Sequence, residues 1–147
     1  MKKILFVFGL LVTVGVSSVF ANDERVSPKA LASFKAEFST AQNVVWETGS
    51  NYFRAIFSLN ERRVFAYYNL EGELISLARY ISSIQLPINL FSSLKNEYGK
   101  YWISDLFEVS NGEGIHYYVT LETADTKLML HSANAGSWST YSKNKKS

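Results

Sequence analysis

The chain of 147 residues contains no cysteine and only two prolines. Without cysteine it can form no disulfide, no thiol nucleophile, no cysteine-ligated zinc site and no lipid-modified N-terminal cysteine. Charged residues are also few, at 19% of the chain, whereas aromatic residues make up 15%. A chain with many aromatic residues and few prolines favours β-strands. Its length fits a single domain that can bury enough surface without disulfides or metal.

Residues 1–21 have the three parts of a secretory signal peptide. Lys2 and Lys3 precede an apolar stretch from Ile4 to Val16, and Val19-x-Ala21 supplies the small or apolar residues expected before a cleavage site. The apolar stretch is shorter than the roughly 20 residues that span a bilayer. We therefore predict a periplasmic or secreted protein, with an uncleaved membrane anchor as the alternative.

The net charge argues against a polyanionic partner. The formal charge is +2, and loss of residues 1–21 removes two lysines and no acidic residue. Lys143, Lys145 and Lys146 lie in the predicted polar tail, residues 142–147, which leaves the body slightly acidic. Binding to a nucleic-acid backbone needs a basic surface. We therefore expect no nucleic-acid partner and, after signal cleavage, no membrane partner.

Two prolines each open a predicted amphipathic helix. Ser27 is placed as an N-cap and Pro28 as the first helical residue, and Pro87 opens the second helix. Apolar residues follow at helical spacing: Leu31, Phe34 and Phe38, then Leu90, Phe91, Leu94 and Tyr98. Four strand-like runs separated by turn residues follow each helix: Val44–Thr48, Tyr52–Leu59, Arg62–Tyr68 and Glu73–Tyr80, then Trp102–Ser110, Ile115–Glu122, Lys127–Ser132 and Ser137–Tyr141.

This repeated pattern predicts an α+β fold of two similar halves, about residues 27–81 and 86–141, within one domain spanning 22–141. Short connections between the strands favour antiparallel neighbours. We expect an antiparallel sheet with the helices packed on one of its faces.

Three short motifs resemble a known family. They are Ala41-x-x-Val44-x-Trp46, Tyr67-Tyr68-Asn69-x-x-Gly72-x-Leu74, and Leu86-Pro87 before a helix and the strand of Ile103. These residues resemble the secreted PepSY-like family, also described as beta-lactamase-inhibitor-protein-like, which is frequent in Bacteroidota. The resemblance covers roughly residues 27–141 and implies helices packed on an antiparallel sheet of two halves. The family has no established activity, so an inhibitor-like role would follow from resemblance alone.

Turn chemistry predicts the strand pairing in the first half. Pairing Leu59 with Arg62 places one set of side chains on one face: Phe53, Phe57, Val64 and Leu74. The opposite face carries another set: Arg54, Ile56, Phe65, Tyr67, Ile75 and Leu77. The turn at Asn69–Gly72 is expected to pair Tyr67 with Ile75 and Phe65 with Leu77.

Both faces of this half are therefore apolar, whereas a sheet covered on one side should carry a polar outer face. Either another part of the chain covers the second face, or that face is a binding surface.

The second half alternates more clearly. A four-residue turn pairs Glu122 with Lys127 and puts Tyr118 opposite His131. The predicted core face holds Ile115, Tyr117, Val119, Leu121, Leu128 and Leu130. The outer face holds His116, Tyr118, Thr120, Glu122, Lys127, Met129 and His131, a mixture typical of recognition surfaces.

We predict a non-enzymatic module that binds a protein or peptide on the open face of its sheet. The candidate contact residues are Arg54, Phe65, Tyr67, Tyr118 and His131. Arginine and tyrosine are enriched in binding hot spots, and an exposed Arg54–Tyr67 stack would contribute about 0.5–1 kcal/mol. The alternative is a small-ligand carrier with an aromatic-lined cavity between helices and sheet.

Catalytic motifs are scarce. His116 and His131 are the only histidines, and the register makes them diagonal neighbours. A zinc site needs three or four ligands, and Glu122 is the only plausible third, so we expect no metal and regard an enzyme acting through the two histidines as a minor alternative. Gly112-x-Gly114 lies between strands, unlike a phosphate loop, and no serine-nucleophile elbow is present. We expect neither catalysis nor a cofactor.

Overall fold

The computed structural model of the chain describes residues 25–147. The predicted signal peptide, residues 1–21, lies outside the described residues. The described elements follow one another in this order: α1 (Pro28–Glu37), β1 (Gln42–Thr48), β2 (Phe53–Leu59), β3 (Arg62–Tyr68), β4 (Leu74–Tyr80), a 3-10 helix (Ser83–Gln85), α2 (Ile88–Glu97), β5 (Trp102–Asn111), β6 (Gly114–Glu122), β7 (Thr126–Ala133) and β8 (Ser139–Lys145).

The eight strands form one antiparallel sheet in which each strand pairs with its neighbour in the sequence. The order from edge to edge is therefore β1 to β8, with short connections between all neighbours except β4 and β5, whose connection contains α2. The predicted α+β class with an antiparallel sheet is confirmed. Within residues 25–147, no helix is both long enough and apolar enough to cross a membrane.

Helix α1 begins as its sequence predicts. The Ser27 side chain accepts a hydrogen bond from the backbone N–H of Ala30 at 3.1 Å, and Pro28 occupies the first turn. A serine N-cap satisfies one of the N–H groups that a helix start leaves unpaired, and proline there sacrifices no hydrogen bond. The helix ends at Glu37, and the N–H of the C-cap residue Phe38 bonds to the carbonyl of Phe34.

The first buried cluster joins α1 to strands β1–β4 through aromatic rings. The ring of Phe34 lies edge-on to those of Phe57 and Trp46, at centroid distances of 5.0 and 5.3 Å. Such edge-to-face pairs add about 0.5–1.5 kcal/mol beyond the area they bury. Ala30 of the helix and Tyr68 of β3 are fully buried in the same cluster.

The second buried cluster joins α2 to strands β5–β7. Leu90 and Leu94 of the helix belong to it together with Val119 and Leu130. The indole N–H of Trp138 donates a 3.1 Å hydrogen bond to the Leu90 carbonyl, which ties the start of β8 to the helix.

Both clusters lie on the same side of the sheet, here called the helix face. Cross-strand partners share a face. Val64, Arg79, Glu108 and Tyr117 are successive partners across β3, β4, β5 and β6. Val64 packs against the first cluster and Tyr117 belongs to the second, so this row connects the two.

A third buried cluster lies on the opposite side, here called the open face. Its buried members are Phe65, Tyr67, Ala78, Val109 and Tyr118, all from strands. Partly buried side chains pack around them: Tyr52, Ile56, Ile75, Phe107 and Met129. The sheet therefore has apolar residues on both faces, as its sequence predicts.

The predicted pairing of β3 with β4 is wrong by one residue. Leu59 faces Arg62 and Asn69 bonds to Glu73 as expected. Beyond that turn Tyr68 faces Leu74 while Tyr67 faces Ser76, because a β-bulge inserts an extra residue. A one-residue shift exchanges the faces of a strand, so Leu77 packs on the helix face instead of the open face.

Two further expectations about the second half are wrong. Strand β8 continues to Lys145, so residues 142–145 belong to the sheet and not to a polar tail. The polar sequence of β8 does not indicate a strand, because an edge strand can form its backbone hydrogen bonds without burying side chains. Ile115 remains 43% exposed because it lies at the start of β6 opposite Ser110, outside the apolar clusters.

Gly72 fixes the β3–β4 turn against α1. Its φ of +84° is a backbone conformation that favours glycine. A Cβ atom built there would lie 2.5 Å from the Cβ of Lys29, and the Gly72 carbonyl accepts a 2.8 Å hydrogen bond from the Ser33 hydroxyl. Helix and hairpin therefore meet so closely that only glycine fits.

Candidate binding face

Three of the five predicted contact residues form the buried layer of the open face. Phe65 is 9% exposed, Tyr67 1% and Tyr118 7%. They lie on the face predicted for them, but their aromatic neighbours cover them, which leaves little area for a partner. Sequence alternation assigns a face to a side chain but not its depth, because depth depends on the size of its neighbours.

Arg54 lies at the margin of this layer, with 20% of its side chain exposed. Its guanidinium donates to one Glu47 carboxylate oxygen through Nε, at 2.7 Å, and through Nη2, and to the Tyr67 hydroxyl through Nη1 at 3.3 Å. Burial raises the pKa of Tyr67 and favours its neutral form. Burial alone would lower the pKa of Arg54, but the contacts with Tyr67 and Glu47 raise it overall.

Three exposed side chains on this face are ones that the sequence analysis did not select as contacts. Tyr80 is 48% exposed and packs against Phe107 in a tilted arrangement with ring centroids 4.1 Å apart. Tyr141 is 40% exposed and lies edge-on to Tyr118 at 5.7 Å. The exposed Arg63 lies 5.5 Å from the centre of the Phe65 ring.

A shallow cleft of about 230 Å³ opens among these groups. The guanidinium groups of Arg54 and Arg63 lie on it together with the rings of Phe65, Tyr80 and Phe107. The signal that could have located it was the strand register itself. Tyr80 pairs with Phe107 and Phe107 with Tyr118, which extends the aromatic row across three strands.

His116 and His131 come together at the other end of the open face. Nδ1 of His116 lies 3.0 Å from Nε2 of His131, and the two rings are stacked with centroids 5.3 Å apart. The His131 ring also stacks on Tyr118 at 4.6 Å. Across residues 25–147, no cluster of three or more histidine, aspartate or glutamate side chains is arranged to hold a metal ion. The pair therefore packs within the sheet surface, and an N–H of one imidazole ring can donate a hydrogen bond to the nitrogen of the other.

The aromatic layer and the exposed row should respond differently to mutation. Tyr67→Ala removes a fully buried ring and should lower the free energy of unfolding by about 3–5 kcal/mol. Tyr80→Ser removes a half-exposed ring that contacts the rings of Phe65 and Phe107, and should lower the free energy of unfolding by less than about 1.5 kcal/mol. Urea unfolding of the two variants measures both effects. Equal losses would contradict the division into buried support and exposed surface.

The histidine pair should make stability depend on pH. Burial lowers the pKa of each ring, and proximity to His116 lowers that of His131 further. Below the unfolded value of about 6.5 the unfolded chain binds more protons than the folded one, so the free energy of unfolding should fall as pH falls. Urea unfolding between pH 7.5 and 5 measures this dependence.

The control for that measurement is the double variant His116→Gln/His131→Gln. Acidic groups weaken many proteins at low pH, so the informative quantity is the difference in slope between wild type and variant. The variant should lose less stability over the same interval. A slope identical to that of wild type would show that the pair contributes nothing.

Comparisons with known proteins reveal a shared fold. No family model matches the chain. No curated protein matches it either. A BLIP-like protein from Bacteroides fragilis superposes with a TM-score of 0.69 at 15% identity, covering 82% of this chain and 86% of that one. A DUF2874 family protein from Bacteroides uniformis gives a TM-score of 0.72 at 15% identity, covering 82% and 89%.

A third solved structure, provisionally assigned to the periplasm of Bacteroides eggerthii, has a TM-score of 0.72 at 13% identity, with 82% and 88% of the chains covered. Identities of this size establish likeness of fold and leave function to be argued from the residues. The chain therefore has the fold of these BLIP-like and DUF2874 proteins of Bacteroides.

Proposed function

We propose that this protein is a non-enzymatic binding module that recognises a protein or peptide partner on the open face of its sheet. The observation that carries the proposal is a continuous aromatic layer on a face to which neither helix contributes a buried residue. Aromatic side chains in this layer are buried by one another, and above them Tyr80, Tyr141 and Arg63 reach solvent.

The chemistry of these exposed groups favours a protein partner. Tyrosine and arginine are enriched at the centres of interfaces because they supply large contact areas and hydrogen bonds together. A rigid layer beneath them lowers the entropy lost when a partner docks, since rings that stack on fixed neighbours have few conformations left to lose. Tyr80 on Phe107 and Tyr141 on Tyr118 are supported in this way.

The proposed contact set differs from the one the sequence suggests. We place Tyr80, Tyr141 and Arg63 at its centre and keep Arg54 and His131 at its margin. Phe65, Tyr67 and Tyr118 act as the support beneath them.

Several finer features belong to the same proposal. The similarity of fold to BLIP-like and DUF2874 proteins supports membership of the PepSY-like, beta-lactamase-inhibitor-protein-like group. It also supports an inhibitor-like role, descent from two similar halves and secretion to the periplasm or beyond. The BLIP-like neighbour and the provisional periplasmic assignment of another are the supporting observations.

The ligand-carrier alternative is less well supported. It requires an aromatic-lined cavity between helices and sheet. At that place the rings of Phe34, Phe38 and Phe57 pack against one another, with centroid distances of 4.9–5.4 Å. Rings in mutual contact leave no room for a ligand inside the first buried cluster, which is where this alternative places its aromatic-lined cavity.

Affinity capture from the native periplasm tests the proposal, with residues 22–147 as bait. The variant Arg63→Ser/Tyr80→Ser/Tyr141→Ser removes the exposed groups and leaves the buried layer intact. Because such groups supply most of the energy of an interface, recovery of the partner should fall at least tenfold relative to wild type, as measured by quantitative mass spectrometry.

The matched control is Ile84→Ser/Ile88→Ser, which removes two residues that are 82% and 78% exposed outside the open face. This bait should recover the partner as wild type does. If all three folded baits recover the same proteins in equal amounts, the open face is not the binding surface.

A further inference from the structure

A cleft lies on the helix face, opposite the proposed binding surface. Its volume is about 590 Å³, within the range of small-molecule sites in proteins. It lies beside Phe38 at the end of α1 and extends over strands β2 to β5. It therefore occupies the part of the helix face between the two buried clusters.

One wall of this cleft is apolar. Phe38, Leu59, Val64 and Leu77 line it, and each is only partly buried against the first cluster. Apolar surface that stays in contact with water is less favourable than buried apolar surface by a free energy of about 25 cal/mol per Å². An apolar body that fills the cleft would recover that free energy.

The other wall carries two guanidinium groups and one carboxylate. Arg79 donates from Nε to Glu108 at 2.9 Å. The raised pKa of Tyr117 has burial as its main cause, and a side-chain hydrogen bond to Glu108 adds to it. Arg79 and Tyr117 thus interact with the carboxylate of Glu108 in the cleft wall, and the charge of Arg79 neutralises it.

Arg62 adds a positive charge that the cleft does not balance. Within residues 25–147 it takes part in no ion pair, in contrast to Arg54 and Arg79. Arg79 bonds to Glu108 through Nε, so its two terminal nitrogens can donate to a carboxylate bound in the cleft. Guanidinium groups match carboxylates in geometry, and the pairs they form are stronger than neutral hydrogen bonds.

We propose that this cleft is a binding site for a small amphipathic monocarboxylate, an apolar chain or ring system bearing one carboxylate. The apolar body would lie along Phe38, Val64 and Leu77, and the carboxylate would bind to Arg62 and Arg79. One negative charge balances the excess charge of the lining, whereas a cationic head group would meet two guanidinium groups. This inference does not depend on the proposed function, because the two sites lie on opposite faces.

Titration with decanoate, followed by amide NMR of residues 22–147, tests the site. Saturable shifts should appear at Leu59, Val64 and Leu77, while the open face stays unchanged. Decylammonium has the same chain and the opposite charge, so its affinity should be at least tenfold weaker. No saturable binding of decanoate, or equal affinities for the two probes, would overturn the proposal.

Neighbouring arginines of one strand supply the matched variants. Arg62→Gln removes the unbalanced charge of the cleft and should weaken decanoate binding about tenfold, as loss of one charge-assisted pair does. Arg63→Gln makes the same chemical change one residue along β3, on the open face, and should leave binding unchanged. Equal losses in both variants would show attraction to overall charge and overturn the site.

Arg79→Gln is the second cleft variant, with unfolding measured alongside because it also breaks the ion pair with Glu108. If wild type binds decanoate and neither Arg62→Gln nor Arg79→Gln weakens that binding, the assignment of the carboxylate to these two arginines is contradicted. Loss of partner capture by the open-face variant tests the proposed function separately, so failure of one proposal leaves the other standing.

Discussion

The alternation of side chains along one continuous sheet is the constraint on which the structure depends. Each strand bonds to its sequence neighbour, so the register of the seven antiparallel pairings decides which residues share a face. Tyr80, Phe107 and Tyr118 become one aromatic row because three strands align them. A shift of one residue in either the β4–β5 or the β5–β6 pairing would divide that row between the two faces.

The two faces of the sheet bury their apolar side chains in different ways. On the helix face, Phe34 and Leu90 bring apolar area from the helices, and the clusters they enter are filled. On the open face, large rings cover one another, which buries Tyr67 and Tyr118 without a covering segment from either helix. The second arrangement leaves tyrosine and arginine at the surface, where side chains with apolar and polar parts contact both the layer and solvent.

Much of this fold can be predicted from the sequence, because local signals fix it. The turn residues between β2 and β3 set their pairing, and Ser27-Pro28 sets the start of α1. The bulge at Ile75 in β4 could not be predicted, since nothing local distinguishes Ile75 from a normally paired residue. Strand β8 could not be predicted either, because pairing with β7 and not apolar character holds it in place.

The candidate site could be predicted only in part, for a related reason. Side-chain alternation assigns Phe65 and Tyr67 to the open face correctly, but their burial depends on neighbours from other strands of the sheet.

Photo-crosslinking in the producing cell tests the central claim most directly, with a photoreactive phenylalanine analogue in place of Tyr80 or, as the control, Ile84. The account predicts a discrete protein adduct from position 80 and none from position 84. No adduct from position 80, or the same adduct from both positions, would contradict the claim that the open face is a recognition surface.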